Sequence, residues 1–290
     1  MAETSGMAEI RGIDIDKLAK GFADEEFIFK RFLTNATASA REVRWYKRTT
    51  GNLSPNAPQS LTSASRARPT VLERSWTRQT SYVKSYFVES PTISEEDIKD
   101  TDIDILAGNI RALVQAISSK VDADIFNVIS EDQSPSDLNT FATTAVGGDQ
   151  WDGTSQDPIK DLMRAKRLIR QNNYNPEGGV ALMDTLAHES LLVWLISTKG
   201  SSIPAFSSEK VVSGVVMELL GLKIVVSENV VTDNVLVFVP QRLATWKSFK
   251  GLTTRAIEEP LIGTKIRVKE EGIAILTDPK AGCLITDINT

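Results

Sequence analysis

The apolar positions Leu106, Ile110, Leu113, Ile117, Val121, Ile125 and Val128 recur at spacings of three or four. That period keeps one face of an α-helix apolar for about seven turns. Two capping boxes, Ser94 with Asp97 and Thr101 with Asp104, mark the approach to the helix. Pro91 and Pro135 bound it. Typical globular helices stop at roughly 20 residues, so this is the beam of an elongated subunit or a coiled-coil arm. Ile103, Ile105, Ala107, Val114 and Phe126 add apolar positions off the stripe and predict cover on more than one side.

Upstream the pattern changes twice. Residues 1–35 read as an arm, with a short helical face at Ile13, Ile15, Leu18 and Phe22, then Phe27, Phe29 and Phe32 among acidic neighbours. Either this is a small helix on its own domain or an anchor that docks on a neighbour. Val43 and Trp45 then alternate with Arg44 and Tyr46 as in a strand. Gly51 to Pro69 is polar and proline-bearing, a long turn. Val71, Leu72, Trp76, Tyr82, Val83, Tyr86 and Phe87 resume the strand pattern. The two runs predict a long two-stranded ribbon, which is marginal in water by itself and needs a surface to lie on.

Downstream of a polar stretch through Gln156, Asp157-Pro158 opens a helix that ends near Asn172. A turn at 175–179, a buried strand at Val180 to Met183 and a second helix opened by Asp184 follow, so this part reads as a compact α+β lobe. Leu222 to Val226 and Val235 to Val239 are strands, and the segment around Trp246 closes the lobe. A return sheet follows: Leu252 to Ile257, Gly263 to Glu271, Gly272 to Leu276, a turn at Pro279, then Cys283 to Ile288.

Charge sharpens the picture of the ribbon. From Ala36 to Val88 there are nine basic residues against two acidic ones, whereas Glu89 to Asp104 is acidic with Lys99 alone opposing. Self-complementary subunits, two solvated faces, and a basic ribbon for nucleic acid are all compatible with that inversion. The overall net charge of -5 excludes a surface built to grip nucleic acid everywhere. With 290 residues, 41% of them apolar, the chain can bury two modest cores. No apolar run is long enough to span a membrane, and Met1 to Ile10 has no secretory apolar core.

Candidate chemistry is sparse. His188 is the single histidine and lacks the second histidine of a metalloprotease helix. Cys283 is the single cysteine, which excludes an internal disulfide and a cysteine-rich zinc site. No phosphate-binding loop, dinucleotide fingerprint or nucleophile elbow occurs. Asp149, Asp152 and Asp157 lack the glycine and closing glutamate of a calcium loop. No catalytic, cofactor or metal residue is therefore assigned. A self-assembling structural protein is the leading class, with a carboxylate-dependent hydrolase as a remote one.

The order of elements resembles the HK97-like major capsid proteins of tailed double-stranded DNA viruses, a fold family that also includes encapsulins. The residues carrying the likeness are Ile93 to Phe126 with Ile98, Asp104, Ile105, Ile110 and Asp124; Asp157-Pro158 with Ile159 to Ile169; Asn175-Pro176 and Val180 to Met183; and Arg267 to Ile275 with Pro279 and Ala281. The resemblance implies an α+β, HK97-like fold. Its parts would be an N-terminal arm (1–35), an extended β-hairpin loop (36–92), a long spine helix opening the peripheral domain (93–135), an axial domain (136–245) and return strands of the peripheral domain (246–290). It implies a non-enzymatic shell subunit, assembled as pentamers and hexamers around double-stranded DNA. The alternative is an encapsulin-type compartment around cargo enzymes.

Implied partners are further copies of the chain, a portal, optionally a decoration protein, packaged DNA touched without sequence preference, and a separate scaffolding protein: some relatives carry roughly a hundred extra N-terminal residues where this chain has only ~35, so either maturation cleavage has already happened or scaffolding comes from another protein, the second being favoured by Met1. The place would be the virion, with assembly in the host cytoplasm. Intersubunit contacts are expected at Phe27, Phe29, Phe32, Trp45, Arg66, Arg68, Arg74, Trp76, Arg78, Tyr82, Tyr86, Glu95, Glu96 and Asp97. Some relatives join a loop lysine to a neighbour's asparagine; here the tip from Gly51 to Pro69 has no lysine, so a shell without covalent links is expected.

Overall fold

In a computed structural model that describes residues 19–20, 28–49, 76–93, 104–130, 137–145, 148–153, 157–199, 218–259 and 263–289, the long apolar stripe forms one 27-residue helix, α1 (Asp104–Ser130). Its buried side chains run Ile110, Leu113, Val114, Ile117, Val121, Ile125, Phe126 and Ile129. Arg111, Ala112, Gln115, Ala116, Ser119 and Lys120 are exposed. Among the described side chains the cover is one broad face, which the extra apolar residues Val114 and Phe126 widen; Ile103, Ile105 and Ala107 lie outside the described side chains. Both expected capping boxes fall outside the described residues or side chains.

The chain divides into two compact units, Met1–Val43 with Thr80–Ile125 and Trp246–Ile275, and Arg44–Gln79 with Phe126–Thr245 and Leu276–Thr290. The first holds a four-stranded sheet. It is built from β1 (Thr34–Thr37), β4 (Lys84–Glu89), β10 (Ala244–Glu259) and β11 (Gly263–Leu276), in the order β1-β10-β11-β4. In the antiparallel register of β4 on β11, Phe87 faces Lys269 and Tyr86 faces Glu270. Successive side chains of a strand alternate faces, so Phe87 and Tyr86 part company: Phe87 is open and Tyr86 is buried. The Tyr86 hydroxyl donates to Asp124 of α1 at 3.1 Å, and the Lys84 ammonium reaches the same oxygen at 3.1 Å.

The expected single ribbon is in fact divided. β2 (Glu42–Lys47) and β3 (Thr77–Tyr82) pair as a two-stranded sheet, and the chain then changes partner at Val83. The Val83 N–H donates to the Arg41 carbonyl at 2.9 Å, and β4 continues into the four-stranded sheet. Conversely, the tail strands expected as short pieces merge into β10 and β11, 16 and 14 residues long. Gly272 does not break β11. It makes room for Trp246, since a Cβ there would lie 2.3 Å from the indole Cζ2.

The second unit is a six-stranded sheet, β5 (Asn139–Ala142), β12 (Gly282–Thr286), β9 (Val235–Phe238), β6 (Gly179–Met183), β8 (Leu222–Val226) and β7 (Glu218–Leu219), in that spatial order. β6 and β9 are buried along their whole length, as their unbroken apolar runs require. Two helices complete the core, α2 (Pro158–Gln171) and α3 (Thr185–Trp194). Each starts where the sequence places an aspartate. Asp157 accepts the Lys160 N–H at 3.2 Å and Asp184 accepts the Ala187 N–H at 2.9 Å. β5 is an element the polar stretch did not announce; it exists because it pairs in parallel with β12.

Candidate assembly surfaces

The residues expected to meet neighbours divide into three groups. Phe27, Arg66, Arg68, Arg74, Glu95, Glu96 and Asp97 lie outside the described residues. Phe29 and Tyr86 are covered by their own chain, because the Phe29–Phe32 turn seats itself against α1 and Tyr86 bonds to Asp124. Their rings are therefore covered within one copy of the chain. Phe32 and Trp45 are half-buried, while Trp76, Arg78 and Tyr82 are exposed.

Among the described residues the largest fractional exposure of a large apolar side chain is on Phe87, at 71%, followed by Tyr82 at 68% and Tyr46 at 59%. Phe87 emerges between charged groups of the same sheet face: Lys269 stands opposite it, and two residues along Glu89 accepts from both Nε and Nη2 of Arg267 at 2.9 and 2.6 Å. An exposed ring in a charged rim is the composition of a protein–protein contact more than of a ligand pocket.

Much of the basic excess of residues 36–88 is neutralised locally. Lys47 is buried with its ammonium 2.7 Å from Asp137. Arg48 lies 3.4 Å from Asp278, stacks 4.7 Å over Trp76, and donates its backbone N–H to the Thr277 carbonyl at 2.9 Å. Arg41 sits over Phe249 at 5.8 Å and 3.8 Å from Glu271. Lys84 pairs with Asp124, whose carboxyl is held below the usual carboxylate range: burial pushes it up, but the hydrogen bond and charge of Lys84, the Tyr86 hydroxyl and Lys120 outweigh that. Charge inversion along the chain is thus partly an intramolecular pairing.

One surface escaped the sequence reading altogether. Leu186, Leu191, Leu192, Val193 and Trp194 look alike as letters, but α3 buries Ala187, Leu191 and Trp194 and leaves Leu186 and Val193 open, with Ile196 beyond them. Helical spacing predicts that split only once one face is known to be the inner one. Trp151 was missed as well: it is fully buried, its indole N–H donating to Asp161 at 3.0 Å.

The solitary reactive residues have no chemistry around them. Cys283 is buried in β12, which pushes its thiol up to about 12. His188 is lowered by burial, and its Nε2 has no hydrogen-bond partner. Among the described residues no group of three metal-ligating side chains occurs, and no helix is long and apolar enough to cross a membrane.

Comparison with known proteins gives a family and a fold. The family model described as phage capsid protein matches residues 92–285. The fold is similar to that of a virus-like particle protein from Pyrococcus furiosus, with TM-score 0.62 and 9% identity over 95% of this chain and 99% of that one. It is similar to the capsid protein of cyanophage P-SCSP1u, with TM-score 0.63 and 16% identity over 91% of this chain and 89% of that one. A phage-related protein from Bordetella bronchiseptica RB50 shares it too, with TM-score 0.62 and 14% identity over 94% and 96%. No curated protein sequence matches the chain.

Proposed function

Because this chain belongs to the phage capsid protein family, with an HK97-like fold, we propose that its copies close into an icosahedral shell of pentamers and hexamers around double-stranded DNA. Membership makes it a structural, capsid-forming protein rather than an enzyme. The observation that carries the proposal is the family match across residues 92–285.

The open aromatic side chains support the fuller reading. Tyr46, Trp76, Tyr82 and Phe87 stay in water within one subunit. Covering them by a neighbour is worth about 25 cal/mol per Å² of apolar surface, less the cost of ordering. The exposed α3 face at Leu186, Val193 and Ile196 is a further contact for a second copy. In this reading residues 1–35 are an arm and 36–92 the extended loop; α1 is the spine of a peripheral domain that 246–290 completes, and 136–245 form the axial domain. The charged positions Arg66, Arg68, Arg74 and Arg78 would meet Glu95, Glu96 or Asp97 of an adjacent copy, each exposed pair worth about 0–1 kcal/mol. Scaffolding, portal and decoration proteins would act in assembly in the host cytoplasm. DNA contact would be generic, since a net charge of -5 offers no excess of phosphate-binding groups.

A protein compartment around cargo enzymes is the second reading. It is favoured by the likeness to the Pyrococcus furiosus virus-like particle, whose chain is covered almost end to end. Electron microscopy and sedimentation of the purified protein test both. Closed particles or capsomer rings are expected, and a stable monomer at high concentration and physiological salt would overturn shell formation. Packaged DNA then supports the viral reading, and packaged protein the compartment.

A further inference from the structure

The segment that leads into β1 is seated on an unbalanced set of buried charges. The backbone N–H of Ile28 donates to Asp122 Oδ2 at 3.0 Å, and the N–H of Phe29 bonds to the same carboxylate. Phe29 and Leu33 are buried beside it. Lys30 of the same turn reaches Glu270 Oε1 of β11 at 2.5 Å and lies 4.6 Å from the centre of the Trp246 ring. Asp122 and Glu270 are both buried, yet among the described residues Asp122 Oδ1 and Glu270 Oε2 have no hydrogen-bond partner. Among the described residues, two buried carboxylates therefore lie in the field of the one Lys30 ammonium, which bonds to Glu270 and acts on Asp122 by charge alone. Buried charge in that state is costly, and proton uptake is the least expensive remedy.

We propose that this cluster is a proton-operated latch, in which a proton taken up by Asp122 tightens the hold of residues 28–33 on α1 and β11 and its loss slackens that hold. Protonation removes one of the two negative charges facing Lys30 and turns an unpartnered acceptor into a donor. It leaves Oδ2 as the acceptor for the Ile28 and Phe29 amides.

The direction follows from linkage. Burial pushes the Asp122 carboxyl up to about 6, with the Glu270 charge adding to the rise; the amides of Ile28 and Phe29 and the Lys30 charge oppose it. Released into water the same carboxyl returns to its ordinary 3.8. Between these values the seated form binds a proton that the released form lacks, so seating strengthens as pH falls through about 6 and levels off below the ordinary value. From pH 7 to 5 the gain is about tenfold. Three neighbouring groups are shifted from their ordinary values. Asp124, facing Lys84, Lys120 and Tyr86, is held below the usual carboxylate range. Tyr86 is pushed up by burial and then by the charges of Asp124 and Glu270. Lys30 is lowered by burial, with Glu270 and Asp122 pulling the other way.

Hydrogen exchange of the Ile28 and Phe29 amides in the full chain, corrected for intrinsic exchange at each pH, tests the latch. Protection is expected to rise about tenfold from pH 7 to 5. Asp122→Asn, which copies the protonated form, should give high protection with no dependence on pH, while Asp124→Asn should retain the wild-type rise. Lys30→Gln removes the opposing cation and should move the midpoint to higher pH, a shift that a purely structural role would not produce. If Asp122→Asn does not fold, the Lys30→Gln midpoint decides. Flat wild-type protection, an Asp122→Asn profile like wild type, or an unmoved Lys30→Gln midpoint overturns the proposal. None of these outcomes depends on whether the chain forms a shell.

Discussion

Trp246 occupies the volume that a side chain at position 272 would need, so Gly272 is required by packing and not by backbone conformation. Gly272→Ala should destabilise the protein by about 1–3 kcal/mol, the usual cost of forcing atoms into a filled core. A fall in the denaturant midpoint with an unchanged slope is the expected signature. Asp124 gives a second expectation at this scale. Its carboxyl is held below its ordinary value in the folded chain, so its contribution is present above pH 3.8 and is lost as pH falls through the depressed folded value. Asp124→Asn should therefore lower stability at neutral pH and flatten the acid limb of a plot of unfolding midpoint against pH. Neither residue was legible in the sequence for this role. Gly272 read only as the start of a stretch continuing the return sheet, and Asp124 only as part of a family likeness, because their partners Trp246 and Lys84 are far away along the chain.

Elements with local causes were legible. The starts of α2 and α3 were read from Asp157 and Asp184, since an aspartate bonding the amide three residues on is a contact within one turn. The length of α1 was read from its spacing. Strand β5 was not, because Asn139 to Ala142 becomes a strand only by lying in parallel beside Cys283 to Thr286. The same dependence hid the outward face of α3. Val193→Asp should leave the unfolding free energy within about 0.5 kcal/mol of wild type, as exposed substitutions usually do. Assembly measured by sedimentation should nevertheless weaken. An unchanged particle yield would remove this face from the set of shell contacts.

At the scale of the whole molecule, the basic residues of the ribbon region bear on how a shell would be held. Lys47 is buried against Asp137 and Lys84 is paired with Asp124, so both ribbon lysines are engaged within the chain. An amine so engaged is poorly placed to attack a neighbour's amide, and arginine stays charged and is a weak nucleophile. Cys283 is buried and its thiol is pushed up to about 12, which leaves little thiolate for a disulfide link. Mature particles boiled in detergent without reductant should run as one band near 31.8 kDa. A ladder of multimers surviving reductant would show a covalent link elsewhere.

By itself the sequence determined the class of the protein: a long amphipathic helix, a basic strand region, an α+β lobe and a return sheet, with too little histidine and cysteine for most site chemistry. These are consequences of period, capping and composition, which act over a few residues. Only the tertiary structure decided that β3 and β4 part at Val83, that Phe29 and Tyr86 are covered within the chain while Phe87 is not, and that Ile28 bonds to Asp122 while Lys30 pairs with Glu270. The physical reason is common to all three. Burial and charge balance are set by which distant strands and helices meet, and a side chain's energy in a core depends on neighbours its own stretch of sequence does not contain.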